Sequence, residues 1–215
     1  MNVKLIAVTK PMVDGINTAD ELISYCARVS NPANQLNVET APRLLRYCVK
    51  HGHWSIFETA SMTVEIVTSR AIAAQLLRHR SFTFQEFSQR YAESQTYEIT
   101  ELRTQDAKNR QGSGVVIDDN QLKKNVDNAV LTSFICYKIL IESGVSKETA
   151  RMVLPLCTQT TLYMTGNVRS WIHYLEQRCA EGTQKEHREV AQTVKEIFTV
   201  QFPTVAEAVW TTKQE

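Results

Sequence analysis

The chain has 215 residues, 43% of them hydrophobic, which is enough for one large domain or two small ones with a real core. Its 24 Lys and Arg nearly cancel its 23 Asp and Glu, and the formal charge of +1 excludes both a disordered tail and a globally basic nucleic-acid binder. No apolar run reaches the ~18 residues of a membrane span, and Met1 to Lys10 carries no signal-peptide pattern. The expectation is one domain over residues 1–215, cytoplasmic (host cytoplasm for a viral source) and without membrane contact.

Val3 to Thr9 is a short β-rich run closed by Pro11 and Asp14-Gly15, and reads as the first strand. Thr18 and Glu21 form a capping-box pair ahead of Leu22, Ile23, Cys26 and Val29 at helical spacing, so a helix is expected to about Ser30, stopped by Asn31-Pro32. A second helix is expected from about Thr40 to Lys50, with Pro42 in its first turn, Leu44, Leu45 and Cys48 on one face, and His51-Gly52-His53 as its exit. Met62, Val64, Ile66 and Thr68 alternate with their neighbours and predict a strand, followed by a helix over Ala71 to Leu77. Arg78 to Tyr91 has no clean period and reads as a functional loop.

Thr96 to Asp118 is a polar insert, with a strand expected at Glu98 to Arg103 and a mobile excursion around Gly112-Ser113-Gly114. Asp118 with Gln121 is the expected cap of a long helix carrying Leu122, Val126, Val130, Phe134, Tyr137 and Ile141, closed by Gly144. Ser146 is expected to cap a shorter helix before Pro155, Thr158 to Thr165 is β-rich, Asn167 caps a helix to Cys179, and Thr183 with Glu186 opens another to about Phe202. Helices dominate over a few strands, so the fold class is α+β. The five cysteines, Cys26, Cys48, Cys136, Cys157 and Cys179, have no CxxC pair or zinc-finger spacing and read as reduced, small, buried apolar residues.

Neither GxGxxG nor GxxxxGK[ST] occurs, so side chains must hold any phosphate. Candidates stand together: Arg78, Arg80 and Arg90 face a single carboxylate, Glu86, within the fourteen residues Arg78 to Tyr91, among Phe82, Phe84, Phe87 and Tyr91. Guanidinium forks grip phosphate oxygens in pairs and keep their charge at physiological pH, which makes this segment a site for a small anionic ligand. His51 and His53 lack supporting carboxylates or thiols, so no metal is expected.

Arg78-His79-Arg80, seven intervening residues, Ser88 and then Arg90-Tyr91 resemble the RHR-x7-S signature of the flavin-dependent thymidylate synthases. Other segments agree in order: Ala27-Arg28-Val29-Ser30, His53-x-Ser55-x-x-Glu58, Gln75, Ala150-Arg151-x-Val153-Leu154-Pro155, and Asn167-x-Arg169-Ser170 with Arg178, so the resemblance covers about residues 1 to 205. It implies a helix-rich domain with a small, mostly antiparallel sheet. It also implies reductive methylation of dUMP at uracil C5, with methylenetetrahydrofolate giving the carbon, NADPH the reducing equivalents and FAD relaying hydride, in a homotetramer with flavin sites between subunits.

By the same resemblance, Gln75, Arg78, Glu86, Ser88, Gln89, Arg90, Arg151 and Arg178 are dUMP contacts, with Arg90 and Arg151 on phosphate and Arg178 as the catalytic polariser of the pyrimidine. Flavin contacts are Ser30, His53, Ser55, Glu58, Arg78, His79, Arg80, Ser81, Gln85, Asn167, Arg169 and His173, and Tyr91 adjoins the nucleotide. Ser88 reads as a binding hydroxyl rather than a nucleophile, since nothing marks a base for it. On an ideal helix Arg169 and His173 share a face, whereas Arg178, nine steps of ~100° beyond Arg169, lies near the opposite side.

Three departures from the family pattern stand out. Gln89 is where many members have Gly, Gln85 and His173 replace Asn, and Cys179-Ala180-Glu181-Gly182 lacks a histidine often found there. Two other classes fit parts of the pattern. A single-stranded nucleic-acid module would stack bases on Phe82, Phe84, Phe87 and Tyr91, against which the near-zero net charge speaks. A helical assembly protein would use Trp54, Trp171 and Trp210 at interfaces.

Overall fold

Residues 1–211 are described by a computed structural model. The elements in chain order are β1 (Asn2–Val8), α1 (Ala19–Ala27), a 3-10 turn (Pro32–Asn34), α2 (Ala41–Lys50), a second 3-10 turn (Trp54–Glu58), β2 (Ser61–Ser69), α3 (Arg70–Leu76), β3 (Thr83–Glu86), β4 (Arg103–Gln105), β5 (Ser113–Val116) and α4 (Asn120–Glu142). They continue with α5 (Lys147–Ala150), a 3-10 turn (Arg151–Val153), β6 (Gln159–Asn167), α6 (Val168–Arg178), α7 (Lys185–Gln201), α8 (Pro203–Ala206) and a wide final turn (Glu207–Thr211). The class is α+β. Four strands form one antiparallel sheet in the order β1-β2-β6-β3, and β4 pairs with β5 in a separate hairpin.

Alternation builds the sheet's inner face. Met62, Val64 and Ile66 of β2 and Leu162 and Met164 of β6 are buried, with Val64 opposite Met164 and Ile66 opposite Leu162. The other face is polar: Thr63 and Thr165 hydroxyls meet at 2.9 Å, and Tyr163 donates to Glu65 Oε2 at 2.9 Å. Helices α6 and α7 cover the inner face with Trp171, Tyr174, Leu175, Val190, Val194 and Phe198, all buried. Trp171 Nε1 donates to the Met62 carbonyl at 3.0 Å, which satisfies the indole inside the core.

Local chemistry explains most boundaries. Thr18 Oγ1 accepts from Glu21 N while Glu21 reaches back to Thr18 N, so the capping box starts α1 as expected, but the helix stops at Ala27 rather than Ser30. Arg28, buried, turns away to bond the Asn37 carbonyl and Thr40, pulling the chain out of the helical path. Asn167 Oδ1 accepts from Ser170 N at 2.8 Å and caps α6.

Further expectations are corrected. Arg78 to Tyr91 is not wholly irregular, because Thr83–Glu86 adds β3 to the edge of β6, pairing Phe84 with Met164. The expected strand at Glu98 to Arg103 is replaced by the β4–β5 hairpin, with only an isolated bridge from Tyr97 to Thr158 before it. Asp119, not Asp118, caps α4, since Asp118 is drawn to Lys123. Thr183 does not cap α7: its hydroxyl donates to the Gln177 carbonyl, and Glu186 is taken by Arg103. Of the cysteines, Cys48 is buried but Cys136 is exposed on α4, and all five thiols are free.

Two features bear on the site. Gly166 of β6 lies under the Phe82 ring, where a Cβ would fall 2.5 Å from two ring carbons; Phe82 also packs edge-on against Trp171, with centroids 4.6 Å apart. Helix α4 buries only Val130 and Tyr137 and leaves Leu131, Ile135 and Ile139 at least half exposed. Among the described residues no helix is long and apolar enough to cross a membrane.

Candidate active site

Helix α6 carries one wall of the site. A cavity of about 650 Å³ runs along it, lined by Arg169, Ser170, Ile172, His173 and Glu176 from the helix, its cap Asn167, Ser81 from the arginine segment, and Trp54 and Glu58 from the turn before β2. Arg169 pairs with Glu58, and His173 Nε2 bonds the Gln177 amide at 3.0 Å. Arg169, His173 and Glu176 follow one another at helical spacing, so one face of α6 supplies cation, imidazole and carboxylate together. Five residues matched to flavin contacts, Glu58, Ser81, Asn167, Arg169 and His173, meet here.

Across the same helix, Arg178 points elsewhere, as its position in the turn requires. Its Nε donates to His79 Nε2 at 2.9 Å, while its terminal nitrogens have no partner among the described residues. His79 is therefore neutral, with its proton on Nδ1. Burial first, then the charges of Arg178, His173 and Arg78, holds its pKa down to about 4.

A second cavity, of about 570 Å³, collects Ser88, Arg90, Tyr91, Ser146, Lys147 and Glu148. Arg90 makes an ion pair with Glu148 at 3.0 Å, Arg151 Nε donates to the Glu148 carbonyl at 3.2 Å, and Lys147 Nζ donates to the Tyr91 carbonyl at 3.2 Å. The two arginines matched to phosphate thus meet at one residue, with a lysine beside them. No side chain hydrogen-bonds the Ser88 hydroxyl among the described residues.

Other candidates lie apart from these cavities. Glu86, on β3, accepts from Thr160 Oγ1 at 2.9 Å and pairs with Arg70 at 3.3 Å. Gln75 bonds Gln184 and His187. Gln89 is buried and donates to Ser94 Oγ at 2.8 Å, turned into the protein. Ser30, His53, Ser55, Arg78, Arg80 and Gln85 are exposed and line neither cavity. Arg78 and Arg80 have no side-chain partner among the described residues, leaving two uncompensated cations beside Ser81.

Sequence reasoning missed several neighbours. Trp54 and Glu176 line the α6 cavity, and Glu176 was findable from its spacing to Arg169 and His173. Lys147 and Glu148 sit one turn before Arg151. Arg70, which neutralises Glu86, carried no signal of that kind, because only the β3–β6 pairing brings it near. Among the described residues no group of three or more His, Cys, Asp or Glu side chains could hold a metal ion.

A flavin fits the donor set of the α6 cavity: an indole and an isoleucine for a ring system, and amide, hydroxyl, imidazole and guanidinium groups for its polar edge and phosphates. Comparisons with known proteins give the family. The family model described as Thymidylate synthase complementing protein matches residues 11–204. A probable flavin-dependent thymidylate synthase of Paramecium bursaria Chlorella virus 1 is 55% identical over 212 residues, covering 97% of this chain and 98% of its own. The flavin-dependent thymidylate synthase of Synechocystis sp. is 51% identical, covering 97% and 99%. Among solved structures, a UMP/dUMP methylase, PolB, from Streptomyces cacaoi with 5-Br dUMP bound superposes with a TM-score of 0.83 at 27% identity, over 96% of this chain and 93% of that one. On this footing the chain belongs to the flavin-dependent thymidylate synthases.

Proposed function

We propose that the protein makes dTMP by reductive methylation of dUMP, taking the carbon from methylenetetrahydrofolate and reducing equivalents from NADPH through FAD, in the cytoplasm. When bound, FAD supplies the hydride that completes the methyl group. The protein's own residues do the rest. Uracil C5 attacks as a carbon nucleophile only if negative charge on the ring is stabilised, and the terminal nitrogens of Arg178, without a partner among the described residues, offer a positive charge and N–H donors for that purpose. His79 fixes Nε of Arg178 and, being neutral, leaves the positive charge on the guanidinium. Arg90, Arg151 and Lys147 hold the 5′-phosphate, with the Ser88 hydroxyl as a further donor. Gln75, Arg78 and Glu86 complete the dUMP set, with Gln89, whose side chain turns inward to Ser94, contributing only through its backbone. The observation that carries this reading is Arg178, anchored at Nε by His79 and without a partner for its terminal nitrogens among the described residues, at the foot of the helix that walls the α6 cavity.

Asn167, Arg169, His173, Glu58 and Ser81 hold the flavin from one chain. The exposed Ser30, His53, Ser55, Arg78, Arg80 and Gln85 would meet it from neighbouring chains of a homotetramer, with His79 as a further flavin contact. Support for that assembly comes from the apolar face of α4. Residues 1–215 act as one domain, since a single core cluster runs from Ala19 to Val209.

The test is the visible spectrum of the protein titrated with FAD, then with NADPH and dUMP without oxygen. Flavin bands that bleach with NADPH, with dTMP formed once folate is added, are expected; no flavin binding in folded, oligomeric protein refutes the proposal. Arg178→Ala should lower dTMP formation by roughly 10² to 10³-fold with flavin still bound. Arg80→Ala should weaken flavin retention instead.

A further inference from the structure

Behind the arginine segment a line of polar side chains runs from the surface at Gln184 to the buried His187 and Tyr174, and Glu186, an acceptor-only carboxylate, sets its direction. Gln184 Nε2 donates to Glu186 Oε2 at 2.9 Å, so Gln184 Oε1 is the acceptor for Gln75 Nε2 at 2.7 Å. Gln75 Oε1 then faces His187 Nδ1 at 3.2 Å, and His187 Nε2 faces the Tyr174 hydroxyl at 3.2 Å. Every link closes with one donor and one acceptor if His187 is neutral, carries its proton on Nδ1 and accepts from Tyr174.

His187 is fully buried on the face of α7 that also carries Val190, Ala191 and Val194. Burial first, then the charge of Arg178, lowers its pKa to about 4 and keeps the ring neutral at pH 7. An apolar side chain would fill this position without needing two polar partners, so the imidazole's role lies in what it bonds. Its partner on one side is Gln75, a surface-reaching residue of α3 one turn before His79.

We propose that His187 is a positioning residue for the nucleotide site: its Nδ1–H holds the Gln75 carboxamide with the oxygen inward and the N–H group outward, so that Gln75 presents a donor to an acceptor atom of the nucleotide. This rests on the assignment of Gln75 to the dUMP site. Without the imidazole the amide keeps only its Gln184 contact, and its second N–H is no longer held toward an acceptor atom of the nucleotide.

The experiment titrates dUMP into the flavin-loaded protein as wild type, His187→Gln and His187→Asn. An asparagine amide stands near the position of imidazole Nδ1 and keeps the link to Gln75; a glutamine amide stands near Nε2 and keeps only the link to Tyr174. His187→Gln should bind dUMP about tenfold more weakly, and His187→Asn close to wild type, with flavin bands unchanged in both. Equal affinity of wild type and His187→Gln, or an equal loss in both variants, overturns the proposal. Nitrogen-15 NMR of histidine-labelled wild type tests it without any variant: a neutral ring with the proton on Nδ1 is expected, and a proton on Nε2 or a charged ring overturns it. Wild type that binds flavin but no dUMP removes the assignment of Gln75, and the inference with it.

Discussion

The two longest helices of the second half, α4 and α7, use their apolar residues in opposite ways. Helix α7 turns Val190, Ala191, Val194 and Phe198 into the sheet and buries all of them, whereas α4 buries Val130 and Tyr137 and leaves Leu131, Ile135 and Ile139 facing out. Equal periodicity thus serves two ends: one stripe completes the protomer, and the other is surplus to it. The candidate site divides along the same line. Its α6 wall stands on the packed side, while His53 and Ser55 lie on exposed segments and Arg78 and Arg80 have no side-chain partner among the described residues.

The contrast breaks most sharply at Trp171. Fully buried and bonded to Met62, it should cost about 3–5 kcal/mol when replaced by alanine, read as a lower urea midpoint. Acid comes next. His187 has a folded pKa of about 4, below its ordinary 6.5, so its contribution is complete above pH 6.5 and is lost as pH falls toward 4. That loss is about 3 kcal/mol at most, and the stability gap between wild type and His187→Asn should narrow between pH 7 and pH 4.5. On the other region, replacing Leu131, Ile135 and Ile139 together by serine should leave the far-ultraviolet helix signal unchanged while reducing the mass seen by light scattering. Unchanged mass would show that the surplus face is not an interface. Smallest is Glu148→Gln: the Arg90–Glu148 pair is exposed, so freeing Arg90 should tighten dUMP binding only about twofold to fivefold, less at high salt, by calorimetry. Weaker binding would mean that Glu148 holds Arg90 in place.

What could be read from the sequence was whatever neighbours decide. The Thr18–Glu21 box, the Asn167 cap, the alternation of β2 and the Gly144 stop all depend on residues within one turn or one strand, and each stands in the structure. Strand β3 was hidden because four residues carry too short an alternation, and its identity comes from β6 alongside. The Thr183–Glu186 pair misled for a matching reason: Arg103, eighty-three residues away from Glu186, claims the carboxylate that the local pattern assigns to a cap. For the site, motif spacing pointed to the α6 face, and the helical turn separated Arg178 from Arg169. His187 remained invisible, since in the sequence it is one polar residue on an apolar stripe.

Gly166 has a mechanical meaning. The Phe82 ring rests where a side chain would otherwise begin, and Phe82 stands two residues after Arg80. The bare backbone acts as a depth stop for the whole Arg78–Ser81 bend. Adding a single carbon there would lift the bend off the sheet like a shim, shifting Arg78 and Arg80 together against the fixed wall of α6.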